Sequence, residues 1–391
     1  MPSERSQKNA AEGAVFTAAV LPLVAECSPS AAETISSQMK FGLYDAGTYP
    51  SWTEVKEAFE STYSCLGITC AQVGALQHSN GTLLAENTAA CVDPEVFSPI
   101  AGYVPGSDVV PHTLIDLDQQ AMETALGEKN WSAATDHYAN GGNSLARSGY
   151  RTIKGFSTTA QARMYDCSAG CPYKHFELFY KYYEDFDYAD KFVSAALAGT
   201  DMSFTSGKHG PNDFSTLGDA ARKQAVKKGA AYMNVWMYVI REFEDAIDDC
   251  KECDFADVCE DCTPCNDFSH LSNAVHAWDE GVAFYTGSLE GPDVGGNSAG
   301  VLPYRLAEKR CANFGTCGAA GGATSGISMV NSELFKAGGL FATGRDLLQQ
   351  GECAKVRPIV EQIVSLMTVP LVQGTLRYAY RVPEPEPERR P

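Results

Sequence analysis

The sequence lacks the short motifs by which several enzyme classes bind nucleotides or catalytic metals. No two of its 35 glycines are spaced G-x-G, which excludes the dinucleotide-binding fingerprint. It contains no G-K-S/T, which excludes a P-loop, and no H-E-x-x-H, which excludes the common zinc-protease helix. No stretch approaches about 18 consecutive apolar residues, so no membrane-spanning helix is predicted. The sequence therefore predicts no catalytic residue and indicates that the protein is not an enzyme of these classes.

Alternation of apolar and polar residues, the pattern of a half-buried β-strand, is also scarce. The Asn-Gly pairs at Asn80 and Asn140 fall in polar loops rather than between β-branched runs. Helical periodicity is common instead, in segments separated by long stretches rich in glycine, serine and proline. The sequence therefore predicts an all-α (mainly helical) fold with long loops.

Basic residues are outnumbered by acidic ones. There are 30 Lys and Arg against 49 Asp and Glu, which gives a formal net charge of −19. A chain of this sign is repelled by nucleic acids and by anionic membranes, so neither is predicted as a partner. An acidic surface attracts cations, although it also serves solubility alone.

Cysteine is abundant, with 14 residues in a chain of 391. The close spacings of Cys65 with Cys70, Cys167 with Cys171 and Cys311 with Cys317 favour local disulfides and an oxidising compartment. Five more cysteines between Cys250 and Cys265 follow the pattern C-x2-C-x5-C-x2-C-x2-C. These five suit disulfides, with at least one member paired outside the group or free, and zinc is the alternative.

The sequons Asn80-Gly-Thr and Asn130-Trp-Ser agree with secretion and predict a glycoprotein. An apolar run at Ala14–Ala25 follows two basic residues, as in a signal peptide, but its glutamate and proline neighbours favour a helix of the mature protein.

Composition along the chain predicts one large domain with disordered ends. The disordered N-terminus covers residues 1–13, the helical domain 14–382, and a Pro/Glu-rich tail 383–391. Similar spacing of Ala, Gly, Arg and Met in residues 133–164 and 337–367 indicates a possible internal duplication. The pseudo-repeats would be residues 14–195 and 196–382.

Two consecutive amphipathic helices between Ala221 and Gly291 carry the main candidate site. Each has an apolar face and a narrow stripe of carboxylate, phenol or imidazole side chains. The stripes are Tyr238, Glu242, Asp245 and Asp249 on the first helix and His276, Asp279 and Glu280 on the second. If the stripes face one another they form a metal site, and if they face water they are ordinary solvated surfaces.

A third stripe offers a second set of candidate ligands. It lies on a helix predicted over residues 171–197 and consists of Glu177, Tyr180, Glu184 and Tyr188. Carboxylate and phenolate oxygens are hard donors and suit Fe3+, with imidazole as a supplement. We therefore predict iron as the bound metal, with Glu242, Asp245, His276 and Glu280 at the core of the site.

Three segments resemble the algal iron-assimilation family of secreted or periplasmic proteins induced by low iron. They are KKGAAYMNVWMYVIREFEDAIDDC, AVHAWDEGVAFYTGSLEG and VPLVQGTLRYAY. The resemblance runs from about Ala14 to Val382. It implies a secreted or periplasmic location and a role in iron acquisition, and it assigns no ligand.

Three functions are consistent with these features. The first is a secreted or periplasmic protein that captures iron near the cell surface for uptake, with the metal ion and cell-surface uptake machinery as partners. The second is an extracellular structural or adhesion protein without a metal site. The third is a metal-dependent enzyme with an open coordination position.

Overall fold

The structure is a computed structural model that describes residues 5–91, 97–159, 173–251 and 269–382. It is 63% helical. Within these ranges the strands are two antiparallel pairs of two residues each, β1 (Leu145–Ala146) with β2 (Gly149–Tyr150) and β3 (Asp201–Met202) with β4 (Asn212–Asp213). The predicted mainly helical fold with disulfide-stapled loops is confirmed.

The chain divides into two compact units, Met1–Glu95 and Val96–Pro391. The sequence predicts one domain over residues 14–382, and this stays a prediction until proteolysis shows whether the units are separately stable. The predicted border between pseudo-repeats, at residues 195 and 196, falls inside a helix, Tyr188–Ala198. The duplication also stays a prediction.

In its described residues, the first unit has five helices and a short 3-10 turn. They are α1 (Gln7–Cys27), α2 (Pro29–Met39), α3 (Trp52–Glu60), α4 (Tyr63–Leu66), α5 (Cys70–Val73) and the turn Glu86–Thr88. Helix α1 starts inside the segment predicted to be disordered, because the Ser6 side chain caps it by accepting a hydrogen bond from the Asn9 N–H. Ser28 ends α1 and caps α2 in the same way.

Two disulfides close the first unit, Cys27–Cys65 and Cys70–Cys91. Cys65 and Cys70 are close in sequence but do not pair with each other, so the local pairing favoured by their spacing is wrong. Each pairs with a more distant cysteine, because the fold rather than the spacing brings the Cβ atoms within bonding reach.

The second unit contains the remaining helices. They are α6 (Val110–Thr113), α7 (Ile115–Gly127), α8 (Trp131–Asn140), α9 (Gly155–Thr158), α10 (Lys174–Tyr183), α11 (Tyr188–Ala198), α12 (Asp219–Gly229), α13 (Trp236–Lys251), α14 (Ser269–Thr286), α15 (Pro303–Phe314), α16 (Met329–Phe335), α17 (Leu340–Gln349) and α18 (Cys353–Arg381). A π-helical turn, Ala230–Val235, joins α12 to α13, and Ser288–Glu290 forms a 3-10 turn. This π-helical turn lies inside the first of the two amphipathic helices predicted between Ala221 and Gly291.

Helices α13 and α14 form the centre of the second unit. Their paired side chains run in opposite order along the chain, with Tyr238 against Phe284 and Phe243 against Trp278, so the helices are antiparallel. The close approach depends on Gly281, where an added Cβ would lie 2.7 Å from Phe243 Cε1. The apolar faces of both helices are buried in one continuous core.

Two disulfides lie within the second unit. Cys311–Cys317 is the local pair predicted from spacing. Cys250–Cys353 joins the end of α13 to the start of α18, so one of the five clustered cysteines does pair outside its group. Cys167, Cys171, Cys253, Cys259, Cys262 and Cys265 lie outside the described residues, as does the predicted tail over residues 383–391.

By length and composition alone, two helices could cross a membrane, α1 near the N-terminus and α18. A signal sequence and the core helix of a soluble protein both pass the same test. In α18, Val360, Ile363 and Met367 are buried in the core of the second unit, as in a core helix. The absence of a membrane span stays a prediction. Asn80 and Asn130 are exposed, and their glycosylation also stays a prediction.

We expect Gly344→Ala to destabilise the protein, because α17 packs its Gly344 directly on Trp278. An added Cβ would lie 2.0 Å from Trp278 Cζ2, and overpacking of this kind costs about 1–3 kcal/mol. Gly374→Ala is the matched control, since its Cβ would meet nothing within 4 Å and alanine is the better helix former. Denaturant unfolding measures both, and a Gly344→Ala variant as stable as the control would contradict this packing.

Candidate metal centre

The side chains of His112, His276 and Glu280 converge where α6 packs against α14. His112 Nε2 lies 2.9 Å from Glu280 Oε1, and His276 Nε2 lies 3.1 Å from the same oxygen. One donor atom from each residue lies within 4.8 Å of the others. Two imidazole nitrogens and a carboxylate oxygen at this spacing form a set of ligand atoms for a transition metal.

Local structure presents the three side chains to one another. His276 and Glu280 are four residues apart on α14 and so share one face of the helix. His112 lies on the single turn of α6, which begins at Val110 with a proline in its first positions. The His112 ring is buried and packs edge-on against the rings of His276 and Phe284, which fixes its orientation.

Burial and mutual hydrogen bonding set the protonation of the three groups. Burial lowers the pKa of His112 and favours the neutral imidazole, the form that binds metals. The hydrogen bond with Glu280 raises the pKa of His276, against the opposing effect of burial. Burial alone would raise the pKa of Glu280, but its bonds to both imidazoles outweigh burial and lower it. Glu280 is therefore held as a carboxylate.

The second nitrogen of His276 has a partner of its own. His276 Nδ1 lies 3.0 Å from the Ser107 Oγ, and the Ser107 hydroxyl donates to Asp279 Oδ2 over 2.7 Å. With Nδ1–H donating to the Ser107 oxygen and Nε2–H donating to Glu280, the His276 ring is held in one orientation, and loss of the Nε2 proton would free that nitrogen for a metal ion. This is the arrangement by which outer residues orient a metal-binding histidine.

Asp279, predicted as a ligand, points away from this cluster. It is fully buried and accepts hydrogen bonds from the Tyr103 hydroxyl, the Ser107 hydroxyl and the Gly106 N–H, the last over 2.9 Å. Burial raises its pKa to about 6, although these donors lower it. Adjacent residues on a helix point about 100° apart, so Asp279 anchors the 103–107 loop while Glu280 faces His112.

Glu242 lies on α13 opposite Glu280. It is buried and its Oε1 accepts a hydrogen bond of 2.6 Å from Arg241 Nη1. Burial raises the pKa of Glu242, Arg241 lowers it, and the nearby charges of Glu280 and Asp245 raise it. Glu242 and Glu280 line the same cleft, so residues of the two stripes face a common space.

The other residues predicted on the α13 stripe are engaged in structural contacts. Asp245 accepts hydrogen bonds from the Tyr173 hydroxyl and, over 2.9 Å, from Arg241 Nη2. The Tyr238 ring stacks on Phe156 with centroids 3.8 Å apart, and its hydroxyl accepts from Arg241 Nη1. These side chains form one wall of the site and hold Arg241 in place.

A cleft of about 710 Å3 lies along the two stripes. Its lining includes, from the two stripes, Tyr238, Glu242, Asp245, Asp249, His276 and Glu280. Arg147 and Arg151 line the other side, and the Arg151 guanidinium contacts His112 Nε2 directly. A guanidinium only donates, so this nitrogen cannot bond Arg151 and also donate to Glu280. When His112 Nε2 accepts a hydrogen bond from Arg151, it has no proton to donate to Glu280. When it donates to Glu280, it cannot accept from Arg151.

The third stripe does not reach this cleft. Glu177 pairs with Lys181 over 2.5 Å, and the Tyr180 ring stacks on Phe186 with centroids 4.2 Å apart. Glu184 has a left-handed backbone, with φ of 59°, and ends α10. The helix predicted over residues 171–197 is therefore broken between α10 and α11, and its four stripe residues do not share one continuous face.

Sequence reasoning missed His112 and Ser107. Both lie in or beside a segment rich in proline and glycine, where no helical period relates them to other residues. His112 lies 168 residues from its partner Glu280, and Ser107 lies 169 residues from its partner His276. The one signal in the sequence was a histidine directly after Pro111. Its spacing from other residues indicated no partner for it.

The chain matches the family described as low iron-inducible periplasmic protein over residues 83–336. That range includes the whole His112, His276 and Glu280 cluster and is narrower than the resemblance drawn from Ala14 to Val382. No curated protein matches the chain, and no solved structure matches it. The matched range covers more than half of the sequence, and the chain belongs to the family of low iron-inducible periplasmic proteins.

Proposed function

We propose that this protein binds iron at the His112, His276 and Glu280 cluster and captures it near the cell surface for uptake. As a family member it is a periplasmic or secreted protein. The observation that carries the proposal is the convergence of three donor atoms within 4.8 Å beside a cleft of about 710 Å3. The His276 side chain is 40% exposed, so an ion can reach the cluster from solvent.

The charges around the cluster support a cation as its occupant. Glu242 and Glu280 are two buried carboxylates whose proximity is unfavourable when both are ionised. A bound cation relieves that repulsion and displaces the proton that burial favours on Glu242. Three protein donors also leave coordination positions open, which Glu242 or water can fill. Arg151 must withdraw from His112 Nε2 in this state, because both cations seek the same lone pair.

We also propose that the protein delivers the captured iron to uptake machinery at the cell surface. Capture for transport requires that the iron can leave again, and the exposed edge at His276 provides the route. A site on the border of an open cleft suits exchange better than an enclosed one.

A metal-dependent enzyme is the second candidate, and the donor set itself favours it. Two histidines and one carboxylate with open positions are the ligands of ferrous oxygenases. In that case iron would remain bound through turnover, whereas a capture protein must release it. Oxygen consumption by the ferrous protein, compared with the same protein stripped of iron, distinguishes the two functions.

Iron loading of the purified, oxidised full chain tests the proposed function. We expect one equivalent of tightly held iron and a gain in the free energy of unfolding of about 2.7 kcal/mol when free iron is 100 times its Kd. Magnesium at the same concentration is the control, because nitrogen donors do not suit it. A protein that is folded by circular dichroism but retains no iron would favour the structural or adhesion alternative.

Ser107→Ala should weaken iron binding about 10- to 100-fold while the fold is retained, because the variant removes the group that orients His276. Ser148→Ala, in the lining of the same cleft, is the matched control and should bind iron normally. Iron titration measures both variants. Equal iron affinities in the Ser107→Ala and Ser148→Ala variants would show that Ser107 does not orient His276 for iron binding.

A further inference from the structure

A group of basic side chains forms a positive patch on this acidic chain. Lys227 and Lys228 lie at the end of α12, and Lys309 and Arg310 lie on α15. Helix α15 packs against the π-helical turn that follows α12, which brings the two pairs to one surface. We name these four residues the α12–α15 basic patch. It stands out against a chain with a net charge of −19.

Most of the patch is not neutralised within the described part of the chain. Lys227 pairs with Glu123 on α7. For Lys228, Lys309 and Arg310 the described residues provide no ion pair, and Lys228 lies over the Tyr232 ring, 5.1 Å from its centroid. The Nε of Arg310 is buried and has no hydrogen-bond partner there. The patch therefore holds three cationic groups that have no ion-pair partner among the described residues.

The electrostatic state of the lysines agrees with this geometry. Burial lowers the pKa of Lys228 to about 8, and the charges of Lys227, Lys309 and Arg310 add to the effect, against Glu123. Burial also lowers the pKa of Lys309, with Arg305 and Lys227 contributing in the same direction. Mutual repulsion in the patch is thus only partly offset, and an external anion would relieve it.

The charge of the rest of the chain and its extracytoplasmic location restrict which kind of polyanion can bind the patch. A flat anionic membrane would also face the rest of a chain whose net charge is −19, whereas a thin polymer can contact the patch alone. Nucleic acid is not the expected polyanion of a periplasmic or secreted protein. We infer that the α12–α15 basic patch binds an acidic polysaccharide, sulfated or carboxylated, and so retains the protein in the matrix outside the cell.

Binding of the full chain to dextran sulfate and to polygalacturonate tests this inference. We expect binding that weakens steeply between 50 and 200 mM salt, because counterions are released along the polymer, by analogy with about 0.7 ion per charge contact on single-stranded nucleic acid. The triple variant Lys228→Gln, Lys309→Gln, Arg310→Gln should lose at least about 10-fold in affinity and most of the salt dependence.

The control carries the same change in charge elsewhere. Lys129→Gln, Lys336→Gln and Lys355→Gln remove three lysines that sit in surface ion pairs of 3.2, 2.6 and 3.1 Å. Iron titration of both triple variants should match the wild type, which separates this inference from the proposed function. Lys309→Gln alone, at an exposed position, gives a smaller loss if the triple variant does not fold.

Three results would overturn the inference. The wild type could fail to bind either polysaccharide at 50 mM salt, or the patch and control variants could bind equally. The third is binding to vesicles of anionic phospholipid without binding to either polymer, which would assign the patch to a membrane surface instead.

Discussion

Replacing His112 by alanine is expected to lower the affinity for iron by at least about 100-fold while the apo protein stays folded. Loss of an outer residue that orients a ligand costs about 10- to 100-fold, so loss of a ligand should cost no less. The His112 ring is buried, so the variant also leaves a cavity and some loss of stability. Iron titration measures the affinity, and thermal unfolding without iron measures the fold.

Two controls make the result specific to the cluster. His78→Ala removes an exposed histidine of the first unit and should leave iron binding unchanged. The double variant Glu177→Gln, Glu184→Gln removes carboxylates of the third stripe, which lies outside the cleft, and should also bind iron normally.

Glu280→Gln should reproduce the effect of His112→Ala. Iron affinity retained by His112→Ala but lost in the double variant would place the site on α10.

Loss of the Cys250–Cys353 disulfide is expected to lower the free energy of unfolding by about 4.7 kcal/mol, the second large effect. The two cysteines are 103 residues apart in sequence, and both are buried. Loop-closure entropy in the unfolded chain grows with this separation, so a long loop gains most from the bond. Guanidinium unfolding of the variant Cys250→Ser, Cys353→Ser gives the difference.

Cys311→Ser with Cys317→Ser provides the comparison. This bond spans a sequence separation of only 6, and the same relation gives about 2.2 kcal/mol. The two losses should therefore differ by roughly twofold. Equal losses would contradict the loop-closure account and point to strain or to residual structure in the unfolded chain.

Local spacing was sufficient for much of the helical architecture. A helix places residues three and four apart on one face, so periodicity located α13 and α14 and grouped His276 with Glu280. The same logic erred at Glu184, where a left-handed residue ends α10 although the polar stripe continues in the sequence.

Periodicity could not separate ligands from their neighbours. Asp279 and Glu280 are adjacent acidic residues on one stripe, yet the first bonds the 103–107 loop and the second meets His112. Nothing in the spacing distinguishes them, because their roles depend on which element packs against each side of α14.

The sequence by itself determined the helical class, the acidic and cysteine-rich character of an extracytoplasmic protein, the family and two of the three residues in the proposed site. These properties depend on composition and on contacts between residues a few positions apart. The tertiary structure alone decided that His112 meets Glu280, that Ser107 contacts His276, and that Cys250 pairs with Cys353. Such contacts join residues more than a hundred positions apart, where many alternative pairings have similar loop-closure entropies and only the packing of the whole chain selects one.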